Sequence, residues 1–412
     1  MASSRTVAAD PRATAIVAAL AVTQTVGYGT LYYAFAVFLV PLSADLHAST
    51  TAVTGSFTAS VLSSAALAVP VGRWLDRHGG RALMTAGSAA GALLLVAWSQ
   101  VSSLWQLYAV QIGIGAAASA CLYEAAFAVI IAWHSPRRRS SALLALTVVA
   151  GFASTIFLPL TGLLVETYGW RTALLLLAAI QASLTVPLHA FVLRAATASS
   201  GERPEPVRLK ADRGFWLLCA GFTAHTAAVA VVGVHLIAAL ISWGHSAAFA
   251  ATTAGLFGVL SVTGRLVTTG LQRRFGTTSV VTAIFAVQGL AVAALPLVGH
   301  DAIPAVVAVI GFGLGFGVGS IAKPMLLAER YDTRRYATIA GILVVPMTIA
   351  KATAPLAAAV LHTAAHGYGP VFFATAVVCL VAGAALAAVH GPARSPRIAQ
   401  NRAYRKRPEE AS

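Results

Sequence analysis

The stretch Gly72-Arg73-Trp74-Leu75-Asp76-Arg77-His78-Gly79-Gly80-Arg81 stands between two long apolar runs, one ending at Val71 and the next beginning at Ala82. It is too short to link domains. It reads as a tight, charged turn between two adjacent membrane helices, and its arginines mark the side of the membrane it faces. Outward from this turn the same pattern recurs. An apolar run long enough to cross a bilayer, about 20 residues, is followed by a short polar joint. Twelve such runs are legible, at residues 14–40, 51–71, 82–98, 104–132, 141–165, 171–193, 214–241, 248–270, 277–298, 303–328, 336–362 and 369–390.

Composition points the same way. Of 412 residues, 58% are hydrophobic and 10% charged, against about 25% charged in a soluble domain. Such a chain cannot cover a water-facing surface, and a bilayer is its natural solvent. Apolar residues do not alternate with period two, which argues against a membrane β-barrel. Cys121, Cys219 and Cys379 fall in separate apolar runs and imply no disulfide framework. The run 14–40 is too long for the apolar core of a cleaved signal peptide. The expectation is an all-α membrane protein of twelve transmembrane helices. The polar segment 194–213, with Gly201, Pro204 and Pro206, divides it into an N-terminal six-helix bundle (1–193) and a C-terminal one (214–390), with a basic tail at 391–412.

The formal charge is +15, and its distribution explains it. Lys and Arg crowd the loops after spans 2, 4, 6, 8 and 10 and both tails, from Arg73, Arg77 and Arg81 through Arg137, Arg138 and Arg139 to Arg273, Arg274, Arg330 and Arg335. The opposite loops hold Arg171. This is the positive-inside pattern. It places both termini in the cytoplasm and the chain, as a multi-pass protein, in the cytoplasmic (inner) membrane. A nucleic-acid partner is not needed to account for the charge.

The halves also resemble each other. Asp76-Arg77-His78-Gly79 aligns with Arg273-Arg274-Phe275-Gly276, and Gly113-Ile114-Gly115 with Gly311-Phe312-Gly313. At nearly the same offset Gly169-Trp170 aligns with Gly367-Tyr368. A duplicated unit with an even number of spans keeps its orientation, so the halves are related by a pseudo-two-fold axis along the membrane normal.

With these residues in view, the chain resembles a major facilitator superfamily transporter. The signature of that superfamily after span 2, of the type Gly-x-x-x-Asp-Arg-x-Gly-Arg, is matched by Gly72, Asp76, Arg77 and Arg81. The resemblance implies alternating access, a substrate site between the halves, and a gating role for Asp76, Arg77 and Arg81. In the second copy Arg273 stands where the acid should be. Within the superfamily the pattern is similar to the oxalate–formate antiporter and monocarboxylate transporter branch, on Gly27-Tyr28-Gly29 with Tyr32, on Gly264-Arg265 and on Lys351. That branch implies a carboxylate held by the span 8 Arg and the span 11 Lys, in antiport or symport. Span 1 lacks a Lys and span 8 lacks an Asp before its Arg, departures from the monocarboxylate pattern.

The residues themselves suggest a site without the family. A charge deep in a membrane costs at least ~2.5 kcal/mol and signals function by default. At about 1.5 Å per residue, Arg265 sits roughly 12 Å from the Arg273–Arg274 joint, and Lys351 is near the middle of span 11. Neither has an acid in its own helix, so an anionic substrate can supply the partner; backbone carbonyls or Glu124 are the alternative. Guanidinium binds a carboxylate through two parallel hydrogen bonds, and ammonium acts as a point charge. Glu124 and Lys323, in spans 4 and 10, read either as a proton carrier and a snorkelling cation or as a pair that closes a gate. Tyr28 and Tyr32 share a helix face with Gln24 and suggest a lining, whereas Tyr33 points elsewhere. His235 is a further candidate for the substrate site, and His225 a weaker one. The spacing of these two histidines makes no metal site. The run Gly311 to Gly319 reads as close helix packing.

The expected function is secondary transport of small organic anions, mono- or dicarboxylates, by a monomer without cofactor or enzymatic activity, a proton or counter-anion being the coupled species. The competing reading is a proton-coupled exporter of drugs or amphiphiles with Glu124 as its acid.

Overall fold

The computed structural model describes residues 11–193, 212–331 and 333–389. Of the expected linker only Asp212 and Arg213 fall in these ranges, and the tail at 391–412 lies outside them. Span 1 consists of α1 (Pro11–Tyr28), a π-helical turn (Gly29–Tyr33) and α2 (Ala34–Asp45). Spans 2 and 3 are α3 (Thr50–His78) and α4 (Gly80–Ser99). Span 4 is broken into α5 (Leu104–Cys121) and α6 (Tyr123–Trp133). Spans 5 and 6 comprise α7 (Pro136–Ala150), the long α8 (Ala153–Pro187) and a second π turn (Leu188–Val192). In the second half, spans 7 to 9 are α9 (Arg213–Ser242), α10 (Ala247–Leu271) and α11 (Thr277–Val298). Span 10 is broken into α12 (Ala302–Gly313) and α13 (Gly319–Arg330). Spans 11 and 12 are α14 (Tyr336–Ala365) and α15 (Tyr368–Ala387).

Ten described helical segments are long and apolar enough to cross a membrane. One of them, Arg138–Val192, is two spans joined at Gly169, whose φ of 77° lies in the region that glycine enters without strain. With the shorter, broken span 10 these make the twelve expected spans, in two bundles of six.

The turn that organises the sequence is shorter than its charge suggests. Gly72 to His78 is the last part of α3, and the chain reverses at Gly79 alone, with φ 75° and ψ −179°. Charged residues do not end a helix. They carry α3 beyond its apolar part, so that Arg73 and Arg77 are exposed while Leu75 stays buried. A hydropathy boundary therefore precedes the helix boundary by two turns.

Each half has its own core, built on Phe38, Leu95, Trp98 and Leu107 in the first and on Val232, Leu295, Phe312 and Phe372 in the second. A third cluster joins the halves at the arginine-rich end, called here the basic end. It combines Phe127, Ile130, Leu143 and Leu146 with Ile321, Leu327, Ile339 and Leu343. At the opposite end Arg171 pairs with Asp45 at 2.7 Å and donates to the carbonyls of Ser99 (2.7 Å) and Val101 (3.1 Å), tying spans 1, 3 and 6 together.

Candidate functional site

A cavity of about 360 Å³ lies between the two halves. The first half contributes Tyr28, Tyr32 and Tyr33 from span 1, Ser60 and Ser64 from α3, and Ser119, Tyr123 and Glu124 around the break in span 4. The second contributes Thr226 from α9, Lys323 from α13, and Met347, Thr348 and Lys351 from α14.

The π turn explains the tyrosines. In a regular α-helix Tyr33 would leave the face shared by Tyr28 and Tyr32, which is why the sequence reading turned it away. The wider turn over Gly29–Tyr33 absorbs an extra residue and brings all three to the cavity. Their ring centroids lie 5.3 Å (Tyr32–Tyr33) to 6.3 Å (Tyr28–Tyr33) apart, and Tyr123 adds a fourth ring 4.5 Å from Tyr28. Gln24, expected on the same stripe, is fully buried within the first half, where it donates to the Cys121 carbonyl at 2.8 Å.

Lys351 is exposed at the middle of its span. Its ammonium donates to the Tyr32 hydroxyl at 3.1 Å and stands 5.4 Å from the centre of that ring. No carboxylate pairs with it among the described residues.

Glu124 and Lys323 form an ion pair at 2.5 Å that crosses from one half to the other. Two helix breaks position it. Span 4 opens at Leu122, where ψ is −161°, so Glu124 falls in the first turn of α6, where the helix dipole favours an anion by about 0.3–1 kcal/mol. Span 10 opens between Gly313 and Gly319, so Lys323 falls in the second turn of α13, beyond the first turn where the dipole acts most. Each break is held by a glutamine: Gln24 on the Cys121 carbonyl, and Gln288 on the Phe312 carbonyl at 2.9 Å. The pair is asymmetric in burial, with side-chain exposures of 6% for Lys323 and 32% for Glu124. Glu124 Oε2 is buried and has no hydrogen-bond partner.

Arg265 does not line the cavity. Its Nη1 donates to the Thr147 carbonyl of the first half at 2.7 Å, and its Nε to the Gly317 carbonyl, at the break in span 10, at 3.4 Å. Thus the backbone, the alternative partner weighed for this residue, holds it in this conformation. Tyr28, Tyr33 and Tyr123, which line the cavity, are its electrostatic neighbours. His235 also lies away from the cavity, donating from Nε2 to the Pro355 carbonyl at 2.9 Å and so joining α9 to α14. His225 is buried and stacked on Phe285 with ring centroids 4.0 Å apart.

Below the cavity a void of about 30 Å³ shares Ser64, Ser119, Glu124 and Val344 with it and ends at Gly72 and Ala337. There α3 and α14 meet backbone to backbone. A Cβ on Gly72 would collide with the Ala337 carbonyl, and one on Gly341 with the Ala68 carbonyl. The Asp76 carboxylate accepts from the N–H groups of Ala337 (3.0 Å) and Thr338 (2.8 Å) in the first turn of α14. Arg77 and Arg81 are exposed beside this contact. The cavity is therefore shut toward the basic end, while Lys351, at mid-span, is exposed.

Tyr123 and the two breaks escaped the sequence reading. The glycines at 311–319 were a signal for one break, while Leu122 carries none.

The profile of the Major Facilitator Superfamily matches residues 20–345. No protein of curated function matches the chain. Among solved structures, the chain is similar to the Escherichia coli fucose:proton symporter FucP (TM-score 0.73, 14% identity, covering 91% of this chain and 98% of that one). It is also similar to a bacterial homologue of the iron transporter ferroportin in an outward-facing state (0.70, 18%, 91% and 99%). A third similar structure is the human organic anion transporter MFSD10 (0.67, 14%, 92% and 100%). At these identities the likeness is one of fold.

Proposed function

This chain belongs to the Major Facilitator Superfamily, and from that membership we propose that it is a secondary active transporter moving small organic anions, of the carboxylate class, across the cytoplasmic membrane by alternating access. The observation that carries the substrate class is Lys351, an exposed mid-span ammonium in the cavity that donates to the Tyr32 hydroxyl and pairs with no carboxylate among the described residues. The lining carries Lys351, Lys323 and Glu124, a net charge of +1, so one carboxylate neutralises it. Four tyrosines beside it offer donors and apolar faces, which suits a small monocarboxylate. Arg265 supplies a second cation only when its contact with Thr147 opens, so it serves the transition between states; a dicarboxylate would need both.

In this reading the basic end faces the cytoplasm, as its arginines imply, and the conformation is outward-facing. Asp76 braces the closed side. The halves divide in the polar segment 194–213, and the unit is a monomer. One observation favours the second reading, a proton-coupled exporter: Glu124 Oε2 is buried without a partner, where a proton can reside. Lys351 argues against a cationic drug as its cargo.

The test is uptake of a panel of small mono- and dicarboxylates into proteoliposomes, with thermal shift as the binding readout, since a ligand of the folded state raises its stability. Lys351→Gln should sharply reduce both for the substrate, and Lys351→Arg should keep part. Undiminished carboxylate uptake by Lys351→Gln would overturn the proposal.

A further inference from the structure

On the outer face of the second half, α10, α11 and α12 enclose a groove of about 430 Å³. Its walls are apolar, from Gly264 and Leu314 at mid-depth through Val267, Val287 and Leu271 to Phe275 at the basic end. The groove is separate from the central cavity, with which it shares no lining residue. Two features distinguish it from the rest of the lipid-facing surface. It is a recess, because Gly264 lets α10 approach the break in span 10 until its Cα faces the Leu314 carbonyl, where a Cβ would collide. α10 packs on α12 much more than on α11. The groove also opens beside Arg273 and Arg274, both exposed in the short joint between α10 and α11, with Phe275 exposed next to them. Neither arginine pairs with a carboxylate among the described residues.

A long apolar slot with two cations at its headgroup end has the chemistry of a phospholipid: acyl chain along the slot, phosphate at the guanidinium groups. Arginine binds phosphate through paired hydrogen bonds, and basic sites between membrane helices on the cytoplasmic side select anionic headgroups. We propose that this groove is a binding site for one anionic phospholipid, with its headgroup on Arg273 and Arg274 and an acyl chain lying between α10 and α11 as far as Gly264 and Leu314. The occupied groove places lipid against Gly264, the neighbour of Arg265, and against the break whose Gly317 carbonyl receives Arg265. The lipid thus supports the α10–span 10 contact from its outer side.

The experiment reads lipid retention by native mass spectrometry. The full-length protein is exchanged into detergent with either phosphatidylglycerol or phosphatidylcholine of identical acyl chains. Wild type should retain one phosphatidylglycerol and about tenfold less phosphatidylcholine. Arg273→Gln/Arg274→Gln should lose that preference, and Ala283→Trp, which fills the slot from α11, should lose retention with both arginines present. Val287→Trp serves as a second slot-filling variant if Ala283→Trp fails to fold. Equal retention of both lipids by wild type, an unchanged preference in the arginine variant, or full retention by a folded slot-filling variant would each overturn the proposal. Inorganic phosphate competing as well as the intact lipid would likewise reduce the site to a surface anion contact and overturn it.

Discussion

Lys323 and Glu124 meet at 2.5 Å across the boundary between the two halves, each within the first two turns of a short helix that follows a break in its span. The sequence places these residues at nearly equivalent positions of the repeat, so the pair sits close to the pseudo-two-fold axis. Symmetric breaks thus carry opposite charges, and the attraction holds the halves together where the cavity ends.

Removing one member leaves the other stranded. Lys323 is nearly fully buried, so Glu124→Gln should destabilise the protein by roughly 3 kcal/mol, the lower end expected for a broken buried pair because Glu124 is partly open to the cavity. Glu124→Gln/Lys323→Met removes both charges and should recover most of that loss. The measurement is thermal unfolding in detergent for the single and double variants. A double variant less stable than Glu124→Gln would rule out the stranded-charge account.

Asp76 closes the basic end by accepting two N–H groups at the start of α14, from the other half. Hydrogen bonds to a charged group contribute about 1.5–3 kcal/mol. Asp76→Asn keeps the shape but weakens both, and should shift the population toward opening at the basic end by about tenfold. Alkylation of a cysteine placed at Ala68, now buried under Gly341, should quicken accordingly when Asp76→Asn is added. An unchanged rate would mean that the backbone contact of α3 with α14 holds the gate without the carboxylate.

The fold was legible because a bilayer imposes it. Twelve apolar runs and the arginine distribution follow from hydrophobic thickness and headgroup charge, which depend on composition alone. Lys351, Glu124 and Lys323 were legible for the same reason, as charges at depth. What the sequence concealed is local backbone geometry. Nothing at Leu122 announces a break, and nothing in Gly29-Thr30-Leu31-Tyr32-Tyr33 announces a π turn, so Tyr33 and Tyr123 stayed hidden. The glycines from Gly311 to Gly319 carry a packing signal in the sequence. They do pack, Gly317 against Ser261 and Gly313 against Leu260, but the same freedom also opens the helix. Arg265 shows the remaining limit: its depth is readable, yet whether it meets a substrate or a carbonyl depends on which conformation the halves adopt.

Asp212 gives a pH dependence with a defined sign. It caps α9 through the Phe215 N–H at 2.9 Å, and it accepts from the Tyr331 hydroxyl at 2.8 Å and Arg330 at 3.3 Å. Partial burial pushes its carboxyl up, but the hydrogen bonds from Tyr331, Phe215 and Arg330 outweigh that and hold it below its ordinary value. A depressed folded value contributes stability above the unfolded value of about 3.9 that is lost as pH falls through the folded one. The side chain is 49% exposed, so screening keeps the contribution below ~1 kcal/mol. Asp212→Asn retains a capping oxygen and removes the charge. Its melting temperature should fall below wild type at pH 7, and the gap should narrow as pH drops toward 3. A gap constant with pH would assign the effect to the cap alone.

The separate roles proposed for Lys351 and Arg265 lead to opposite kinetic outcomes. Lys351 faces the open cavity, whereas Arg265 bonds Thr147 in the other half at 2.7 Å and does not line the cavity. Lys351→Gln should weaken binding in the outward-facing state by roughly 10–100-fold, the worth of a charge-assisted hydrogen bond of about 1.5–3 kcal/mol. Arg265→Gln should leave that binding nearly unchanged, because the guanidinium is held by the Thr147 and Gly317 carbonyls and does not line the cavity. It should instead lower the maximal transport rate, since the bond must break and reform in each cycle and the guanidinium meets the substrate only between states. Equilibrium binding by thermal shift and initial uptake rates, measured on both variants, separate the two. If Arg265→Gln loses affinity as Lys351→Gln does, the arginine belongs to the substrate site in this conformation.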